Sequence, residues 1–227
     1  MRSESPRAIF NRFLIAVLFA VAFAYIESAV VVYLRAIFYP EGFTFPLKNL
    51  LKVDPPREYL VLTEVGREGA TVVLMLTACI LFGRNRRQRF AYFIAIFAVW
   101  DIFYYVWLKV ILGWPASIMD WDILFMMPTL WASAVLYPLM ISTIMLAFAV
   151  VVLHRDALGK PITVAPLDWL IFAVASVVIA ASFCTAGPYI DKADYKTHFY
   201  WPLFALGAAS TVAVFLKCLL RPQQSPK

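Results

Sequence analysis

The sequence predicts an all-α, polytopic integral membrane bundle of six transmembrane helices plus one short outer interfacial helix, with both termini cytoplasmic. Three observations carry that prediction. The 227-residue chain is 63% apolar and only 15% charged, against about 45–50% and about 25% in soluble domains, and its mean hydropathy is +0.79. Six apolar stretches approach or exceed the roughly 20 residues that cross a hydrocarbon core of about 30 Å. Basic residues concentrate in alternate loops. Such a composition excludes a water-soluble enzyme, a disordered protein and a nucleic-acid-binding module. The net charge of +6 reports membrane orientation, because most basic residues adjoin apolar runs.

The first span, 13–38, follows Arg2, Arg7 and Arg12. Ala22-Phe23-Ala24 has the small-x-small look of a signal-peptidase site. The apolar character nevertheless continues to Phe38, too long for a signal h-region, and a retained first helix is expected. Turn-forming residues from Pro40-Glu41-Gly42 to Asp54-Pro55-Pro56 lead to the second span, 59–82. Gly83 and a basic run introduce the third, 90–112. Gly113-Trp114-Pro115 precedes the fourth, 129–153, then Gly159-Lys160-Pro161 the fifth, 167–185, and Gly187-Pro188 the sixth, 199–220. The whole chain, 1–227, reads as a single transmembrane domain. The charged residues of the first three spans have no counterparts in the last three, which argues against an inverted-repeat transporter.

Ser117 followed three residues later by Asp120 matches a capping box, so a helix is expected to start near Ile118. Continued to Leu153, that helix would run about 54 Å at 1.5 Å per residue, too long for one upright span. Pro128 is the natural break. The expectation is an interfacial helix over 118–127, with Pro138 kinking the span that follows.

Orientation follows from short-loop Lys and Arg. One side holds twelve: Arg2, Arg7, Arg12, Arg84, Arg86, Arg87, Arg89, Arg155, Lys160, Lys217, Arg221 and Lys227. The other holds five: Lys48, Lys52, Arg57, Lys192 and Lys196. Both termini are therefore expected inside a cell membrane, with Trp114, Trp121, Tyr189, Tyr195, Tyr200 and Trp201 forming an outer aromatic belt. Cys79, Cys184 and Cys218 lie in apolar segments without C-x-x-C spacing and read as small hydrophobes. His154 reads as interfacial and His198 as a solvated outer-loop residue. No metal site is assigned, and no cofactor follows from the sequence. There is no H-E-x-x-H, no G-x-S-x-G and no phosphate-cradling glycine loop.

The informative feature is charge inside the spans, where each ionisable residue costs roughly 2.5–3.5 kcal/mol on insertion scales and normally faces protein. Helix one has Glu27 and Arg35. Helix two has Glu64, Arg67 and Glu68. Helix three has Asp101 and Lys109, with Tyr104 and Tyr105 between them. At 1.5 Å per residue, Glu27 and Asp101 lie about 16 Å below the outer end and Glu68 about 13 Å. Glu64, Arg67, Glu68 and Thr71 follow i, i+3, i+4, i+7 spacing, as do Asp101, Tyr104, Tyr105 and Leu108. Glu27 and Arg35 share a broad face. Four acids meet three bases in this set. Glu64 and Glu68, like charges one turn apart, repel, and a nearby base, a proton or a bound cation must compensate. The Glu64-x-x-x-Glu68 pair is similar to the acidic pair of some outer-facing polyprenyl-diphosphate phosphatases. Their accompanying serine-arginine motif is absent here, so no residue role follows from it.

These residues suggest a site in the outer leaflet for an amphiphilic or charged ligand. Glu68 and Asp101 are the candidate proton-handling, catalytic carboxylates. Glu27, Arg35, Glu64, Arg67, Tyr105 and Lys109 are the candidate ligand contacts, with Arg35 and Lys109 meeting anionic groups near the mouth. Whether chemistry occurs is left open by the sequence. Asp120 and Asp122 flank Trp121, either as a solvated face or at the mouth of the pocket. Other readings of the same residues are a structural ion-pair network, a non-catalytic subunit joined to membrane protein partners through Leu206-Gly207-Ala208-Ala209-Ser210, and an ion-coupled transporter. The expected surroundings are the lipid bilayer, with no nucleic acid.

Overall fold

The computed structural model describes residues 5–47 and 58–221. It contains six helices long and apolar enough to cross a membrane: α1 (Pro6–Phe38), α2 (Glu58–Phe82), α3 (Arg86–Leu112), α4 (Leu136–Ala157), α5 (Pro166–Cys184) and α6 (Trp201–Leu220). The chain is a polytopic helical membrane bundle. Of the loop charges counted above, Arg2, Lys48, Lys52, Arg57 and Lys227 lie outside the described residues, as does the Asp54-Pro55-Pro56 break.

Local chemistry fixes the helix ends. Ser5 caps α1, its hydroxyl accepting the Ala8 N–H, and Pro6 stands at the first helical position, where a missing N–H costs nothing. Asn85 caps α3 by accepting the Gln88 N–H at 2.9 Å. Gly113 ends α3 in the left-handed region (φ 68°), a conformation that glycine adopts without a Cβ penalty.

α3 is the central helix, packing against α1, α2 and α4, while α5 and α6 form a second pair. α1 approaches α3 closely because Ala16, Ala20, Ala24 and Ser28 recur every fourth residue, all at most 1% exposed. Small residues on one stripe let backbones come together. The Ser28 hydroxyl donates to the Tyr104 carbonyl at 3.1 Å, and Trp107 Nε1 donates to the Val21 carbonyl at 3.0 Å. α6 approaches α5 in the same way. A Cβ added at Gly207 would stand 2.6 Å from Ile179 Cγ1 and 3.0 Å from the Ala175 carbonyl. Gly207 of α6 is thus engaged within the chain, while Leu206 and Ala209 of the same run stay exposed.

One end of the bundle gathers the start of α1, the end of α6 and a polar belt. Tyr92 near the start of α3 donates to the Ile9 carbonyl at 3.3 Å. Gln88 donates to Asp156 of α4 at 2.6 Å. The buried Asp168 of α5 pairs with Lys217 of α6 and with Arg221 just beyond that helix, each at 2.8 Å. The opposite end is aromatic: Phe45, Trp121, Tyr195 and Phe199 form a chain of ring contacts.

Across that aromatic end lies an element that departs from expectation. Residues 118–127 form no interfacial helix. The chain runs extended as β1 (Trp121–Phe125), turns, and pairs antiparallel with β2 (Trp131–Ala134), with Trp121 opposite Ala134 and Phe125 opposite Trp131. The reason is local. The Asp120 carboxylate accepts the Ala116 and Ser117 N–H groups at 2.7 and 3.1 Å, so it closes a turn behind itself rather than opening a helix ahead. The alternation Trp121, Ile123, Phe125 suits a strand, and Pro128 sits in the connecting turn. α4 consequently begins at Leu136, not residue 129, which puts Pro138 in its first turn. A proline there has no intrahelical partner to lose, and the expected kink has no cause.

Candidate functional site

Beneath the hairpin, α1, α2, α3 and α4 surround a cavity of about 180 Å³. Glu27 and Arg35 reach it from α1, Glu64, Arg67 and Glu68 from α2, and Asp101, Tyr104 and Tyr105 from α3. The hairpin adds Asp122 and Met126, and α4 adds Ser142. The remaining wall is apolar and aromatic, including Val31, Leu34, Leu60, Val61 and Phe97.

Arg67 organises one side. Its guanidinium pairs with Glu27 across to α1 and, through Nε at 2.8 Å, with Glu64 of its own helix. It also donates to Thr71 Oγ1 at 3.3 Å. The i, i+3, i+4 stripe on α2 thus turns inward, and one base answers two of the acids. Glu68, one turn beyond Glu64, makes a different contact: both its oxygens accept the backbone N–H of Met126, each at 3.0 Å.

Arg35 organises the opposite side. It pairs with Asp122 at 3.0 Å, and its guanidinium lies 3.9 Å from the ring centroids of both Phe43 and Trp114. A planar cation stacks well on such faces. Tyr104 donates to the second Asp122 oxygen at 3.2 Å. Burial pushes the Asp122 carboxyl upward, and the Arg35 charge opposes that shift. Asp101 accepts from the Ser142 hydroxyl at 2.8 Å.

The charge inventory is uneven. Five carboxylates line the cavity (Glu27, Glu64, Glu68, Asp101, Asp122) against two guanidiniums (Arg35, Arg67), an excess of three formal negative charges. Among the described residues no base pairs with Glu68 or Asp101, whose partners are a backbone amide and a hydroxyl. Three residues of the lining also carry buried donors that find no acceptor among the described residues: Trp100 Nε1, Trp131 Nε1 and the Tyr39 hydroxyl. Burial pushes the Tyr39 phenol up to about 12, so it stays a neutral donor.

Of the residues singled out in the sequence, Glu27, Arg35, Glu64, Arg67, Glu68, Asp101 and Tyr105 meet at this cavity. Lys109 does not. Its ammonium is exposed and donates to the carbonyls of Gly113 and Pro115 at 3.0 and 2.7 Å, closing the C-terminal end of α3. Asp122 takes the second of its two anticipated positions, where it pairs with Arg35. Ser142, Trp100 and Trp131 were not anticipated. Only the alternation of β1 would have pointed Asp122 inward with any force.

No group of three or more His, Cys, Asp and Glu among the described residues could hold a metal ion. His198 stacks on Tyr189 with ring centroids 3.6 Å apart and lies 3.3 Å from Asp194, away from the cavity. The three cysteines are free thiols. Comparison with protein-family models, with curated proteins and with solved structures finds no match to this chain.

Proposed function

We propose that this protein binds an amphiphilic ligand from the outer leaflet of a cell membrane, seating its polar end in the cavity under the hairpin. One observation carries the reading: a cavity lined by five carboxylates and two guanidiniums is walled on its other sides by aliphatic and aromatic groups. Polar contacts that orient a ligand within an apolar wall are the usual composition of a binding site.

Size and access agree. The space of about 180 Å³ is below the roughly 300–1,000 Å³ of pockets that enclose whole drug-sized ligands, which suits a headgroup with its tail outside. α1 packs chiefly on α3 and meets α2 at few positions, and Val31 and Leu34 of α1 and Leu60 and Val61 of α2 all line the cavity. That seam is the route by which a tail reaches lipid. Placement in the outer leaflet rests on the loop charges, which put the end bearing both termini in the cytoplasm. Glu68 and Asp101, which form no ion pair among the described residues, are the groups best placed to act on the ligand or on a proton.

The test is retention. The protein is purified in mild detergent and co-purifying amphiphiles are identified by mass spectrometry, in the parent chain and in Asp101→Asn. Enrichment of one amphiphile over bulk lipid, lost in a variant whose thermal unfolding is unchanged, supports the reading. A lipid profile equal to bulk membrane, or equal in both proteins, overturns it.

A further inference from the structure

The cavity's charge excess and its unanswered donors together describe the headgroup. We infer that the ligand's polar end is an ammonium with hydrogen-bond-accepting oxygens beside it, as in an amino ester, rather than an anionic group. The inference rests on the amphiphile reading above and names its ligand class.

The cation follows from pairing. Arg67 answers Glu27 and Glu64 together, and Arg35 answers Asp122. Among the described residues Glu68 and Asp101 form no ion pair: their hydrogen-bond partners are a neutral amide and a neutral hydroxyl, and Arg67 acts on Glu68 only through a longer-range attraction. Uncompensated carboxylates in a low-dielectric enclosure are costly, and a positive ligand group relieves that cost where an anionic one adds to it. Both guanidiniums that could have received a phosphate are already engaged by carboxylates.

The acceptor oxygens follow from a separate observation. Trp100 is 6% exposed, and its indole N–H has no partner. Trp131 and Tyr39, two further residues of the lining, likewise carry a buried donor without a partner among the described residues. All three atoms are shielded, so a ligand oxygen answers them only by moving the groups that cover them. An unmet buried donor forfeits about 1–3 kcal/mol, so a ligand that supplies acceptors gains over one that does not. The same aromatic faces favour a cation.

Four probes of one chain length separate these claims: lauroylcholine, its uncharged isostere 3,3-dimethylbutyl laurate, dodecyltrimethylammonium, which lacks the ester, and dodecyl phosphate. Binding to the full chain in neutral detergent is read by native mass spectrometry. Lauroylcholine is expected to bind about tenfold tighter than its uncharged isostere, with dodecyl phosphate weakest. Glu68→Gln and Asp101→Asn each erase the preference for charge. Trp100→Phe brings lauroylcholine down to the level of dodecyltrimethylammonium. Equal binding of lauroylcholine and the isostere, or preference for the phosphate, overturns the ammonium inference while leaving an amphiphile site standing. Equal binding of lauroylcholine and dodecyltrimethylammonium overturns the acceptor half. Failure of all four probes to bind removes both the headgroup inference and the amphiphile reading on which it rests.

Discussion

Glu68 of α2 holds the backbone N–H of Met126 with both carboxylate oxygens, at 3.0 Å each. The contact joins a helix to the turn of a hairpin that is distant in sequence, at the tenth residue beyond Glu58 and so about 15 Å along α2. Backbone that leaves helical hydrogen bonding at such a level needs a partner from the protein, because lipid offers none. Glu68 supplies that partner, so it acts as an anchor as well as a cavity group.

That double role predicts a separation between two substitutions. Glu68→Gln retains an acceptor oxygen, and hydrogen exchange across 121–134 should stay near that of the parent. Glu68→Ala leaves the Met126 N–H unmet, at about 1–3 kcal/mol, and exchange there should quicken about tenfold or more while α3 stays protected. Unchanged protection of the hairpin in Glu68→Ala would show that the contact anchors nothing.

Arg35 and Asp122 form the second tie between hairpin and helices, and both are buried. Removing one partner of such a pair strands a charge and costs about 3–5 kcal/mol, whereas replacing both with apolar groups is often neutral. Arg35→Met should therefore lower thermal stability in detergent markedly, and Arg35→Met with Asp122→Leu should recover most of the loss. Arg35→Lys should fall between the two, since an ammonium cannot stack on both Phe43 and Trp114 as a planar guanidinium does. Additive losses in the double variant would rule out a coupled pair.

The helices were legible because their signal is long and redundant. The expected ends at Phe38, Phe82, Leu112 and Leu220 coincide with the observed ones, since breakers such as Pro40, Gly83 and Gly113 follow the first three directly. Convergence of Glu27, Glu68 and Asp101 on one cavity was legible for a related reason: rise per residue fixes depth, and the cost of charge in lipid fixes which way a face turns. Partner choice was not. Spacing along α1 says nothing about a carboxylate arriving from a hairpin, so Arg35 could not be matched to Asp122. Lys109 misled because depth and face suit either the cavity or the last turn of its own helix, and a flexible ammonium four residues from Gly113 reaches the free carbonyls. The hairpin itself was hidden by Ser117-x-x-Asp120, a pattern that a capping box and a backward-closing turn share.

Two glycines make opposite predictions from one chemical change. Gly207 touches α5 so closely that an added methyl would stand 2.6 Å from Ile179 Cγ1, while at Gly66 of α2 nothing lies within 4 Å of the corresponding position. Gly207→Ala should destabilise by about 1–3 kcal/mol through overpacking and loosen α6 from α5. Gly66→Ala should stabilise by about 0.4–1 kcal/mol, because alanine restricts the unfolded chain and suits a helix. Thermal unfolding of both variants in the same detergent reads the contrast, and equal shifts would mean that α5 and α6 do not pack through Gly207.

The outer-leaflet placement makes its own prediction. At the end bearing both termini, Arg7, Arg12, Arg84, Arg86, Arg87, Arg89, Arg155 and Lys160 crowd short loops and helix ends, whereas Lys192 and Lys196 serve the aromatic end. Positive charge is retained on the cytoplasmic side during insertion, so the hairpin end should face outward. Ala116 and Lys160 are exposed at the two ends. In a chain whose Cys79, Cys184 and Cys218 are replaced by alanine, Ala116→Cys should react with a membrane-impermeant maleimide on intact cells. Lys160→Cys should react only after permeabilisation. The reverse pattern would turn the cavity toward the cytoplasmic leaflet, and its ligand would then have to come from inside the cell.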